Sequence, residues 1–186
     1  MTKIIGISGS LRRGSFNTAL LHAAVAAAPA GTTIALGSIR GIPLYDGDIE
    51  ASDGIPTAAR ELKEQIAAAD GLLLVTPEYN NSIPGVFKNA IDWLSRPPAD
   101  APRIFNGRPV AIMGTSPGRF GTLLSQTAWL PIVRTLGMRP WYGASLYVSE
   151  AGKVFDPKGN LIDLVIRERV VKFVHGFADF VGRAVP

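Results

Sequence analysis

Two arginines and a run of hydroxyl and amide side chains crowd one short stretch of this 186-residue chain, Ser10-Leu11-Arg12-Arg13-Gly14-Ser15-Phe16-Asn17-Thr18. Such a set is suited to donating hydrogen bonds to an anion rather than to abstracting protons or attacking carbonyls. The residues before it, Lys3-Ile4-Ile5-Gly6-Ile7, are apolar and β-branched, as in a buried central strand. After Ser15, Leu20, Leu21, Ala24 and Val25 recur at helical spacing. A strand, a small polar loop and a helix start, in that order, make a cradle of backbone N–H groups. The positive end of the helix dipole reinforces it.

Glycine spacing narrows the ligand. Gly6, Gly9 and Gly14 do not form Gly-x-Gly-x-x-Gly, the dinucleotide fingerprint. Gly9 and Gly14 have the gap of a P-loop, but Ser15 stands where the phosphate-binding lysine belongs. Many neutral donors suit a terminal phosphomonoester, which describes flavin mononucleotide (FMN). The same composition also serves loops that merely turn the chain.

Other chemistries find little support. No cysteine is present, which excludes disulfides, thiolate metal sites and cysteine nucleophiles. His22 and His175 fall in separate helical patterns without metal-ligand spacing, and no Ser/His/Asp arrangement suggests a hydrolase. Asp46 and Asp48 read as solvated turn residues, since the further ligands of a calcium loop are missing. No metal site is expected. The net charge of +4 comes from scattered residues, so no nucleic-acid partner is expected. No apolar run approaches membrane-span length, so no membrane partner is expected. Met1-Thr2 leads straight into the first strand, leaving no room for a signal peptide, and a cytoplasmic location is expected.

The elements that must position the anion loop follow from periodicity. Further strands are expected at Thr32–Leu36, Leu72–Val75, Val110–Met113 and Leu146–Val148. Helices are expected from Ser15, over Thr57–Ala69, around Val86–Leu94, over Phe120–Leu136 and over Leu161–Val181. Pro131 implies a kink or a late start in the fourth helix. Gly41–Asp48 reads as a long surface loop and Arg96–Gly107 as an excursion with three prolines. Residues 1–186 are therefore expected to form one α/β domain. The expected architecture is a flavodoxin-like three-layer sandwich, its five-stranded parallel sheet ordered 2-1-3-4-5. Ligands of such sheets lie outside the carboxyl ends of the strands, where strands one and three diverge. Three loops, after strands one, three and four, should converge there.

Those loops carry a family resemblance. Gly9-Ser10-Leu11-Arg12-x-x-Ser15-x-Asn17, Thr76-Pro77-Glu78-Tyr79-Asn80-x-Ser82-x-Pro84 and Lys88-Asn89-Ala90-Ile91-Asp92-Trp93-Leu94-Ser95 resemble the NAD(P)H-dependent FMN reductases, nearest the bacterial quinone and chromate reductases. The resemblance implies that Ser10, Arg12, Ser15, Phe16 and Asn17 hold the FMN phosphate. It implies that Pro77, Glu78, Tyr79, Asn80 and Asn81 run along the isoalloxazine edge. Ser116 and Gly118 match the third flavin loop only loosely, because Pro117-Gly118-Arg119-Phe120 departs from its pattern. Glu78 is expected to serve loop structure, capping a backbone or pairing with an arginine across a subunit interface, and no catalytic acid or base is expected. The implied activity is hydride transfer from NAD(P)H through bound FMN to a small acceptor: a quinone, azo compound, nitroaromatic, free flavin or chromate. A homodimer or homotetramer is implied as well. The rival reading is a flavodoxin-type electron carrier without nicotinamide turnover; such carriers are usually acidic, unlike this chain.

Overall fold

The computed structural model describes residues 1–183. β1 (Thr2–Ser8) leads into α1 (Phe16–Ala26), β2 (Thr32–Gly37), α2 (Gly47–Asp53) and α3 (Thr57–Ala67). β3 (Gly71–Val75), α4 (Gly85–Leu94), α5 (Ala101–Phe105) and β4 (Pro109–Thr115) follow. After them come α6 (Leu123–Ala128), α7 (Leu130–Thr135), β5 (Arg139–Pro140), β6 (Tyr147–Val148), α8 (Ala151–Val154) and α9 (Leu164–Gly182). The strands pair in parallel in the order β2-β1-β3-β4-β5, as expected from the sequence.

Alternation along the central strands builds the three layers. Ile4, Leu73, Val75, Ala111 and Met113 pack with Leu20, Leu21 and Ala24 of α1 and Phe173, Val174 and Phe177 of α9. Ile5, Ile7, Leu72, Leu74 and Val110 pack with Leu62 and Ile66 of α3 and Phe87, Ile91 and Leu94 of α4. Both faces are covered, which is why these strands read as unbroken apolar runs.

The fifth position differs from the expected strand. It is shared by β5 and β6, which pair with opposite ends of β4: Pro109 with Arg139, and Thr115 with Val148. The interruption follows from Trp141, whose indole turns inward and meets Phe173 edge-on at 5.0 Å. Gly176 makes room for it, since a Cβ there would lie 2.7 Å from the indole. The expected Phe120–Leu136 helix also starts late and breaks at Trp129, giving α6 and α7. Pro131 sits in the first turn of α7, where its missing N–H costs nothing.

α2 was not legible as a helix because it buries no side chain and so has no apolar stripe. Asp46 caps it by accepting the Asp48 N–H at 2.9 Å. The preceding strap docks on α4, where the Trp93 indole N–H donates to the Pro43 carbonyl at 2.9 Å. Tyr45 packs edge-on against the same indole at 5.0 Å.

An ion cluster ties α3 to the segment leading into α5. Lys63, almost fully buried, pairs with Asp100 at 2.6 Å and donates to the Arg96 carbonyl. Arg103 binds Asp100 at 2.7 Å and forks onto Glu64. Bonds from Arg103 and then Lys63 pull the Asp100 carboxyl from its ordinary 3.8 down to about 2. A depressed carboxyl stabilises the fold above its unfolded value, and that contribution vanishes as pH falls through its folded value. Urea midpoints should therefore drop between about pH 4 and pH 2, and Asp100→Asn should flatten that drop. An identical acid profile in the variant would remove the cluster from the account of acid stability.

Candidate functional site

The carboxyl ends of β1, β3 and β4 each close on a hydroxyl residue: Ser8, Thr76 just beyond Val75, and Thr115. The loops that follow them converge on one crevice. Its lining includes Ser10, Arg12, Ser15, Phe16, Asn17, Pro77, Glu78, Tyr79 and Ser116 among the expected residues, with Thr115 and Pro117 in addition. Asn80, Asn81 and Gly118 lie outside that lining. Asn80 and Asn81 form the tip of a tight turn, and the Gly118 carbonyl accepts the Glu150 N–H at 3.1 Å.

The first loop is built to present donors. Ser15 caps α1, its Oγ accepting the Thr18 N–H at 3.3 Å, and Ser10 Oγ accepts the Arg12 N–H at 3.3 Å. Each hydroxyl uses an oxygen lone pair inside the loop, so its own proton is free to point outward. The first turn of α1 carries no acidic residue that would cancel its dipole. Arg12 folds over the loop, donating to the Gly14 carbonyl at 2.6 Å with its guanidinium 5.5 Å from the Phe16 ring centroid. Gly9 is required by contact: its N–H bonds the Val75 carbonyl, and a Cβ would drive into the Phe87 ring.

Asn17 touches the crevice but spends its side-chain amide inside the protein. Buried in the first turn of α1, its amide donates to the Thr115 carbonyl at 2.8 Å and accepts the Thr115 N–H at 3.0 Å. It thereby clamps the first loop to the end of β4, across β3.

The second loop is stiffened from two sides. Tyr79 and Ser82 exchange both backbone bonds, at 3.1 and 3.0 Å, around Asn80 and Asn81 with φ of 49° and 61°. Two left-handed central residues define a type I′ turn, and asparagine tolerates that conformation better than most residues. Glu78 Oε2 accepts the Ser125 N–H of α6 at 2.9 Å, a backbone cap. Thr76 Oγ1 joins Ser125 Oγ at 2.8 Å and receives the Trp129 indole N–H at 3.2 Å.

Thr115 was missed because it reads as the polar tail of an apolar strand. Its Oγ1 is buried and has no hydrogen-bond partner among the described residues. The signal that could have found it is the hydroxyl residue ending each central strand. An orphaned buried hydroxyl is costly unless a ligand satisfies it. Together with Ser10, Ser15, Arg12 and the open end of α1, it forms a donor set that fits a ribityl phosphate such as that of FMN. No group of three or more metal-binding side chains occurs among the described residues.

Removing the Asn17 clamp would leave both polar groups of Thr115 unpaired in the interior. Asn17→Ala should lower the unfolding free energy of the apoprotein by about 2–3 kcal/mol in urea titrations. A loss within error of zero would show that Thr115 finds other partners.

The chain matches the NADPH-dependent FMN reductase family model over residues 2–153. It is 47% identical over 168 residues to an NAD(P)H-dependent FMN reductase of Pseudomonas aeruginosa, covering 90% of this chain and 89% of that one. A 2-hydroxy-1,4-benzoquinone reductase of a Burkholderia species is 40% identical over 179 residues, covering 96% of both. Among solved structures, the flavoenzyme NAD(P)H:(acceptor) oxidoreductase FerB of Paracoccus denitrificans superposes with a TM-score of 0.87 at 30% identity, covering 99% of both chains. The chain belongs to the NADPH-dependent FMN reductase family and is an FMN-dependent oxidoreductase that takes its electrons from NAD(P)H.

Proposed function

We propose that this chain is a quinone reductase, with FMN seated across the three converging loops and residues 1–186 acting as one FMN-binding unit. The observation that carries the seating is the set of unspent donors around one crevice, the orphaned Thr115 hydroxyl above all. When bound, FMN supplies the two-electron relay between the nicotinamide donor and the acceptor. The protein's part is to bind, orient and exclude water. Ser10, Ser15 and the first N–H groups of α1 donate to the phosphate, and Arg12 adds charge. The stiff Pro77–Tyr79 segment offers the Glu78 N–H to the flavin edge, since Pro77 has no N–H and that of Tyr79 is bonded to Ser82. Thr115 donates from the lining of the crevice.

No side chain is assigned as acid or base. Glu78, the one carboxylate in the lining, is committed to the Ser125 N–H. Tyr79, half exposed at the rim, gives a flat surface suited to a planar acceptor. A quinone is favoured by the identity with the benzoquinone reductase over nearly the whole of both chains. The same reading includes a homodimer or homotetramer, since exposed Phe120, Leu123 and Leu124 lie close in sequence to the residue that holds Glu78. It also includes a cytoplasmic location, where NAD(P)H is held. No helix among the described residues is long and apolar enough to cross a membrane.

FMN added to the apoprotein should raise its thermal midpoint by mass action, and FAD should raise it less. Thr115→Val should weaken FMN by about 0.5–1.5 kcal/mol, roughly 2- to 13-fold. It should not lower the apoprotein's own midpoint, because it removes a hydroxyl that has no partner. Equal shifts from both flavins, or unaltered FMN affinity in the variant, would sink the seating. A single crevice must also admit donor and acceptor in turn. Initial rates over a grid of NADPH and benzoquinone should give parallel double-reciprocal lines. Intersecting lines would mean two separate sites.

A further inference from the structure

Behind the Ser10–Gly14 loop, on the β2 side, lies a second recess of about 270 Å³. Arg12, Arg13 and Arg40 line it, with Ser10, Ser38 and His22. No carboxylate belongs to its lining, and none of the three arginines forms an ion pair among the described residues. With the Arg12 charge assigned to the FMN phosphate, Arg13 and Arg40 leave an excess of positive charge at the recess that an anion or solvent must screen. A dianionic phosphomonoester with several acceptor oxygens matches such a set.

The recess is ordered without a ligand. Arg40 donates to the Leu11 carbonyl at 2.7 Å, which fixes the side chain across the back of the loop. Its backbone N–H bonds Ser38 Oγ at 3.2 Å, so the Ser38 proton is free for another acceptor. One guanidinium N–H is committed, and the others remain available. Arg13 has no hydrogen-bond partner among the described residues.

The position matters as much as the charge. Gly37-Ser38-Ile39-Arg40 runs off the carboxyl end of β2, beside β1. The β1 loop lacks the dinucleotide fingerprint and is given to the FMN phosphate, so the rule for nucleotides lying on that loop does not apply. What this position supplies is an arginine with no neighbouring acid to compete for a phosphate. The first carboxylate after β2 in this chain is Asp46, already engaged in capping α2. Ser10 and Arg12 line both the recess and the crevice, so only the thickness of the loop separates them.

We propose that this recess binds the 2′-phosphate of NADPH, with Arg40 as the residue that selects NADPH over NADH. The assignment rests on NAD(P)H being the electron donor at the neighbouring crevice.

The test uses the FMN-loaded protein with benzoquinone as acceptor. For the parent, kcat/KM should favour NADPH over NADH. Arg40→Ala should lower that selectivity ratio roughly tenfold or more, chiefly through the KM for NADPH. Taking the ratio cancels any damage to the flavin loop that affects both donors. Arg13→Ala, which loses no bond within the protein, should shift the ratio in the same direction, and Arg40→Lys should retain part of it. In calorimetry on the loaded parent, 2′,5′-ADP should bind more tightly than 5′-AMP, and Arg40→Ala should erase the difference. An unchanged ratio with both alanine variants overturns the proposal while leaving the reductase reading intact. Inorganic phosphate binding as tightly as 2′,5′-ADP also overturns it, leaving a general anion site. A parent that oxidises neither nucleotide refutes the reductase reading and this inference together.

Discussion

The paired bonds between the Asn17 amide and the Thr115 backbone hold the site in register. Sheet hydrogen bonding carries only one residue past the carboxyl ends of the strands, through the Gly9, Thr76 and Ser116 N–H groups, and leaves the rest of each loop to other contacts. One buried side chain spans from α1 to the end of β4 and satisfies a donor and an acceptor there at once. The bonds act inside a low-dielectric interior, where geometry is enforced by the cost of leaving either group unpaired. Thr115 is thereby held in the lining of the crevice with its hydroxyl buried and unpaired, and the first loop is tied to the third.

The second loop reaches the same end by other means. Glu78, Thr76 and Trp129 meet around Ser125, so the chain after β3 is tied to the start of α6. Phe87 connects both arrangements: its ring lies against Gly9 and meets Trp129 edge-on at 4.9 Å. A core aromatic is thus shared by the support of the first two loops, whose rigidity is continuous with the packing beneath them.

The sheet order and the site edge were legible because their signals are local. Apolar runs such as Leu72–Val75 and small polar loops such as Ser8–Ser15 state strand and turn within a few residues. The fifth strand was not legible past Leu146–Val148, because Trp141 leaves the sheet for a contact with α9, far away in sequence. α2 carried no stripe to read. Within the site, the donor residues of the first loop stood out by composition, whereas the parts played by Asn17 and Glu78 depended on partners 98 and 47 residues away, respectively. Thr115 and Arg40 were hidden because a strand tail and a loop arginine look ordinary until burial and neighbours are known.

The divided fifth strand has a bearing on colloidal behaviour. A free sheet edge offers a row of unpaired N–H and C=O groups on which another chain can extend the sheet. On the β4 side that row is broken into two short pieces, with Pro140 lacking a donor and Trp141 turned away. The opposite edge, β2, is six residues long and uninterrupted. Addition of a strand from another chain is therefore disfavoured on the β4 side, and β2 is the longer continuous edge.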